Sequence, residues 1–130
     1  MVLNDPLANV LSAVENAERI GRQQCTARPS AKLIREVLSI MQQLHYLGDT
    51  QVIPDGKGGV LKINLLGKIN ACGVIKPRYA VPHDGYEKFE KRYLPAQGMG
   101  MLIVSTSKGL LTHVQAREQQ LGGRLIAYVY

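Results

Sequence analysis

The spacing of apolar residues changes once along this chain, and that change limits the folds open to it. Up to about residue 48 the apolar side chains recur every three or four positions; beyond residue 50 they alternate. Leu7, Val10, Leu11 and Val14 stand at i, i+3, i+4 and i+7, one stripe along a helix. Asp5-Pro6 gives that helix its start: an aspartate caps free amides, and proline fits a first turn where its missing N–H costs nothing. Gly21 is its natural stop. A second helix opens at Pro29-Ser30, carries Leu33, Ile34, Val37, Leu38, Met41 and Leu44 on one broad face, and is expected to end near Gly48. The polar stretch RQQCTARP between the two reads as a strand.

Past the change of period, residues 50–54 and 60–66 read as two strands. In the second, Leu61, Ile63 and Leu65 share one face and Lys62 and Asn64 the other. The run Asp55-Gly-Lys-Gly-Gly59 between them is a hairpin turn, because a phosphate loop needs two glycines five apart, then Lys and Ser or Thr, opening a helix. Gly67-Lys68 turns the chain toward a further strand, INACGVI. Residues 1–75 are therefore expected to form an α-β-α-β-β-β subdomain with two helices packed on a small sheet. The proline-rich segment KPRYAVPHDGYEKFEKRYLPAQGMG, with a short helix inside it, marks the boundary. Residues 76–130 are expected to form a mainly β subdomain with short helices. It comprises a strand MLIV, a helix capped by Thr112 and Gln115 and stopped at Gly122, and a terminal strand LIAYVY. The fold class is α+β in two small subdomains.

Bulk properties exclude several functions. A chain of 130 residues suffices for one ordinary domain or two small ones. No segment approaches the roughly 18 uninterrupted apolar residues of a membrane span, and MVLNDPLANV lacks the basic start and apolar core of a secretory signal. A cytosolic protein without a membrane partner is expected. Cys25 and Cys72 have neither Cys-x-x-Cys spacing nor nearby histidines, so they are expected as buried apolar groups, with no metal or cofactor. His45, His83 and His113 are scattered singly. The net charge is +6, and residues 1–50 balance five basic against five acidic side chains. Residues 51–130 hold eleven basic against five acidic and so carry the whole excess. Such a balance suits a polyanion partner, although excess lysine also serves solubility.

The stretch IVSTSKGLLTHVQAREQQLGG, residues 103–123, concentrates the candidate chemistry. Ser105, Thr106 and Ser107 have three readings. A hydrolase would set Ser105 or Ser107 against His113 and a carboxylate such as Asp84, but nothing resembles Gly-x-Ser-x-Gly or supplies an oxyanion hole. An ST-turn would use the hydroxyls to satisfy loose backbone groups. An RNA-contact loop would present compact hydroxyls, which donate and accept, to the wide, shallow minor groove of an A-form helix. Lys108 would then meet a phosphate, and Gly109 would let the backbone approach closely. Spacing alone leaves the last two open.

Two other clusters fit a phosphate backbone. Tyr86, Phe89 and Tyr93 stand at helical spacing, with Phe89 expected in the core. Lys88, Lys91 and Arg92, together with Lys76 and Arg78, make a cationic patch that Glu87 and Glu90 dilute. Arg28, Ser30, Lys32 and Arg35 gather at the start of the second helix, where free N–H groups suit an anion and Ser30 also suits a cap.

Laid in order, DPLANVLSAVENAERIGR, RPSAKLI, LGKINACGVIKPRY, EKFEKRYLPA, IVSTSKGLLTH and LGGRLIAYVY resemble the universal ribosomal protein eight of the small subunit, in its archaeal and eukaryotic branch. The resemblance runs over essentially the whole chain. It implies a primary ribosomal-RNA-binding protein without enzymatic activity, in two α+β subdomains, gripping the minor groove of an irregular stem in the central domain of small-subunit rRNA and supporting subunit assembly. Ser105, Thr106, Ser107 and Lys108 match the family's principal RNA-contact loop, with Gly109 allowing its turn. Gly122 and Gly123 match the adjoining glycine pair. Asp5, Pro6, Ser30 and Lys32 match N-terminal segments lying near RNA. Bacterial members place a carboxylate where this chain has Arg124, which implies a phosphate or sugar contact here instead of an acidic base contact. With Arg78 and Lys88 from the cationic patch, these residues form the expected RNA-binding set. The implied partners are small-subunit rRNA and neighbouring small-subunit ribosomal proteins, with the free chain a monomer. A translational regulator binding a messenger RNA stem that mimics the ribosomal site is the runner-up, and a serine hydrolase a distant third.

Overall fold

The two helical stripes form the two long helices. In the computed structural model, which describes residues 6–27, 32–54, 56, 59–76, 78–96 and 99–130, α1 spans Pro6–Arg19 and α2 spans Lys32–Gln43. Asp5, Pro29 and Ser30, expected at the helix starts, lie outside the described residues. The α1 stripe is buried throughout, as are Ile34, Val37, Leu38 and Met41 of α2. Each such side chain contributes about 1.5–3 kcal/mol when removed from water.

Both helices end by the same device, in which the N–H of the residue just after a left-handed one reaches back to the carbonyl five positions before it. After α1, Gly21 is left-handed and Arg22 N–H bonds to Ala17 O at 2.9 Å. After α2, His45 takes that conformation at φ +65° and Tyr46 N–H bonds to Met41 O at 3.0 Å. The second helix therefore stops before the expected Gly48, and Leu47 already belongs to a strand.

The chain divides into two compact units, Met1–Cys72 and Gly73–Tyr130. In the first, β1 (Gln24–Ala27), β2 (Leu47–Ile53) and β3 (Val60–Leu65) form an antiparallel sheet in the order β1-β3-β2. Thr26 faces Lys62 on one side and Gln51 faces it on the other. Leu61, Ile63 and Leu65 are buried as their alternation predicts. The Glu18 carboxylate accepts from Gly67 N–H and Ile69 N–H at 3.2 and 3.0 Å, fixing the loop that leaves β3. Cys72 is buried, its thiol pushed up to about 12 by burial and by the Glu15 and Glu18 carboxylates. Cys25, by contrast, is half-buried on β1 and not the buried group expected. The expected order α-β-α-β-β-β holds through β4 (Cys72–Val74), but β4 hydrogen-bonds to the last strand of the chain and not to β3.

The second sheet runs β4-β8-β6-β7, with β5 (Ala80–Val81) added to β8. Here β6 is Met101–Thr106, β7 Gly109–Thr112 and β8 Gly123–Val129. Helices α3 (Tyr86–Tyr93) and α4 (His113–Glu118) complete the unit. Leu102, Val104 and Leu125 meet Ile75, Val81, Tyr86, Leu94 and Ala116 in its core. Phe89 is only partly buried, packed against this cluster with Tyr79, Tyr93 and Tyr128. Among the described residues no helix is long and apolar enough to cross a membrane.

Candidate nucleic-acid interface

Ser105–Gly109 is the tip of a hairpin. The sequence reading runs from the apolar strand straight into a helix, but the four-residue strand β7 intervenes and pairs antiparallel with β6, Thr106 opposite Gly109 and Ser105 opposite Leu110. Ser107 and Lys108 make the turn, and Gly109 closes it at φ +101°, where a β-carbon would be strained. The Thr106 hydroxyl stabilises this reversal from inside: it accepts from Lys108 N–H at 3.1 Å and donates to Gly109 O at 2.8 Å. Thr106 is thus the ST-turn residue. The hydroxyls of half-buried Ser105 and exposed Ser107 make no hydrogen bond to a described residue.

A row of residues crosses the sheet at Ser105. Arg124 on β8 stands opposite Ser105 on one side and Ala80 of β5 on the other. Neighbouring Val104 and Leu125 face the core, so Ser105 and Arg124, one step along, face away from it. Strands this close leave no space for side chains at the preceding pair of positions. A β-carbon on Gly123 would lie 2.3 Å from Ser105 O, and one on Gly122 would lie 2.7 Å from Val81 O. Gly122 is not the helix stop expected of it. Gln120 ends α4 in the left-handed region at φ +57°, with Leu121 N–H on Ala116 O at 2.8 Å. The glycine pair serves close approach instead.

The two short helices hold this framework. Thr112 and Gln115 form the expected capping box at the start of α4. His113 is buried, and its Nδ1 accepts from Leu102 N–H at 3.1 Å, taking the place of the strand carbonyl that β7 no longer provides once it turns into helix. Its Nε2 lies 3.3 Å from the Glu90 carboxylate of α3, which also pairs with Arg117. Burial lowers the His113 pKa below the ordinary 6.5. With both ring nitrogens engaged, His113 cannot serve as a base for Ser105 or Ser107. Tyr86 of α3 donates its hydroxyl to Leu121 O at 2.8 Å, just ahead of the glycine pair.

The structure therefore brings Ser105, Thr106, Ser107, Lys108, Gly109, Gly122, Gly123 and Arg124 together. Exposed Arg78 precedes Tyr79, whose carbonyl accepts from Leu125 N–H at 3.0 Å, so it borders the same strand. Lys88 is exposed on α3. Lys32 opens α2 in the other unit and faces Glu36 at 3.7 Å. Pro6 is the first residue of α1, and Asp5 and Ser30 lie outside the described residues. Sequence reasoning passed over the segment Val81–His83 beside Gly122, because β5 is two residues long and its pairing is entirely non-local. It also passed over His113 as a framework residue. The one signal for that role was its place directly after the Thr112 cap.

In this two-unit α+β chain, hydroxyls and cations without a described partner gather along one sheet row and its hairpin tip, the groups a nucleic-acid-binding protein offers to a phosphate backbone. A family model described as ribosomal protein S8 matches residues 5–130. The chain belongs to the ribosomal protein S8 family. It is a small-subunit ribosomal protein that binds rRNA, from a family of structural RNA-binding proteins and not of enzymes.

Proposed function

We propose that the chain is a primary binder of a stem in the central domain of small-subunit rRNA, in the cytoplasmic ribosome, and that its binding supports subunit assembly. It belongs, on this reading, to the archaeal and eukaryotic branch. The tip Ser105–Gly109 enters the minor groove, where the Ser105 and Ser107 hydroxyls meet base edges or 2′-hydroxyls. Lys108 and Arg124 meet phosphate or sugar. The observation that carries this reading is the division of labour among three adjacent hydroxyls: Thr106 is committed to the turn, while its two neighbours have no hydrogen-bond partner among the described residues. The hydrolase reading loses its base in His113.

Filter binding of purified chain to small-subunit rRNA tests the proposal. Ser105→Ala or Ser107→Ala should weaken binding by on the order of 1–3 kcal/mol where the hydroxyl meets a base edge. Unchanged affinity in both variants would remove the contact-loop role. A messenger stem of the same shape would fit the same surface, and co-sedimentation with small subunits separates that regulator reading from the ribosomal one.

A further inference from the structure

The acidic residues that dilute the charge of α3 are already committed. Glu87 pairs with Lys91 at 3.6 Å along the helix, and Glu90 points inward to His113 and Arg117. Lys88 and Arg92 remain exposed and without a described carboxylate partner, as do Arg78, Lys108 and Arg124. Among the described residues, α3 therefore presents positive charge without a carboxylate partner despite a nearly balanced sequence.

Arg92 differs from the others in being held. Its guanidinium carbon lies 5.4 Å from the Tyr79 ring centre and 5.7 Å from that of Tyr93. Those rings are themselves fixed, Tyr79 against Phe89 at 5.2 Å and Tyr93 against Tyr128 at 5.7 Å. A guanidinium lying over ring faces keeps its N–H edges for solvent and loses little freedom on meeting a planar pair of oxygens. Tyr79 immediately precedes Ala80, the end of the row Ala80–Arg124–Ser105, and two strand spacings of about 4.8 Å separate Ala80 from Ser105. Tyr79 stands opposite Leu125 and packs on the core side, so the Arg92 seat lies around the β5 edge from that row, where a phosphate backbone passing the edge would meet both.

We propose that Arg92, clamped over Tyr79 and Tyr93 and flanked by Arg78, is a second phosphate contact for the RNA stem held at the hairpin tip. The proposal rests on the RNA-binding reading of that tip. The contact reads the backbone and not the bases, so it contributes affinity without sequence preference.

The test is the salt dependence of small-subunit rRNA binding by the full chain, measured from low to moderate KCl. Arg92→Gln should lower the slope of log affinity against log salt by roughly 0.7–0.9, one phosphate contact, and Arg92→Lys should restore it. Ser105→Ala should leave that slope unchanged. A slope unaltered in Arg92→Gln, while Lys108→Gln lowers it, overturns the Arg92 proposal, assigns the clamp to a protein neighbour or to packing, and leaves the hairpin reading standing. A slope that falls in Arg92→Gln and is not restored by lysine also overturns it, since the loss then follows the ring packing and not the charge. If the Ser105, Lys108 and Arg92 variants all bind as the parent does, the hairpin reading itself fails.

Discussion

At the scale of single residues, Gly123 constrains the site more than any hydroxyl does. Its missing β-carbon lets Arg124 and Ser105 stand opposite each other, and the atom that would collide is a backbone carbonyl, which has no rotamer to escape into. Gly123→Ala should therefore cost about 2–3 kcal/mol in urea denaturation and weaken RNA binding beyond what that loss explains, because β6 must shift where Ser105 sits. Denaturation unchanged to within error would show that the strands relax. The hydroxyl cluster was legible in sequence as a cluster only. Thr106 differs from its neighbours in the carbonyl and amide it faces, and those belong to a turn that exists once β7 pairs with β6. The glycine pair was likewise visible, but its purpose depends on Val81 and Ser105, distant in sequence on two sides.

Among the elements, the most consequential join is α4 to β6 through His113. The imidazole accepts Leu102 N–H and faces Glu90, with Arg117 on the far side of that carboxylate. Burial disfavours the protonated ring, so the folded-state pKa lies below the ordinary 6.5. The sign follows: above that value neither state carries the proton, and as pH falls through it the unfolded chain takes one up first. Stability contributed here is full above about pH 6.5 and declines toward acid. Melting temperatures at pH 7.5, 6.0 and 5.0 should fall more steeply for the parent chain than for His113→Gln, which keeps an acceptor and a donor but does not titrate. Parallel curves would exclude His113 as the source. The long helices were read from sequence because their stripes are local and periodic. The ends of α2 and α4 were misjudged because the reading looked for glycine, whereas His45 and Gln120 adopt the left-handed turn, offset by the back-bonded Tyr46 and Leu121. β5 and β7, two and four residues long, carry too little pattern to announce themselves.

For the whole molecule, the distribution of charge predicts how it binds. The excess lies beyond residue 50, and Lys108 stands exposed at the hairpin tip without a described carboxylate partner. Lys108→Gln should weaken binding to structured RNA of any sequence and lower the salt slope by roughly 0.7–0.9. A variant that instead loses preference for one stem while keeping its slope would place Lys108 on a base. The α+β class followed from the change of period. That β4 joins the second sheet did not, since its partner, β8, begins 49 positions after Val74. That separation has a consequence for the newly made chain. At about 5–20 residues per second a translating ribosome needs roughly 3–10 s to move from one strand to the other. Until β8 emerges, β4 and β5 have no hydrogen-bonding neighbour and Ser105 has no arginine beside it. If the row is the RNA contact proposed above, it is complete only once β8 has been made, so a chain cut before Gly123 should not bind the stem.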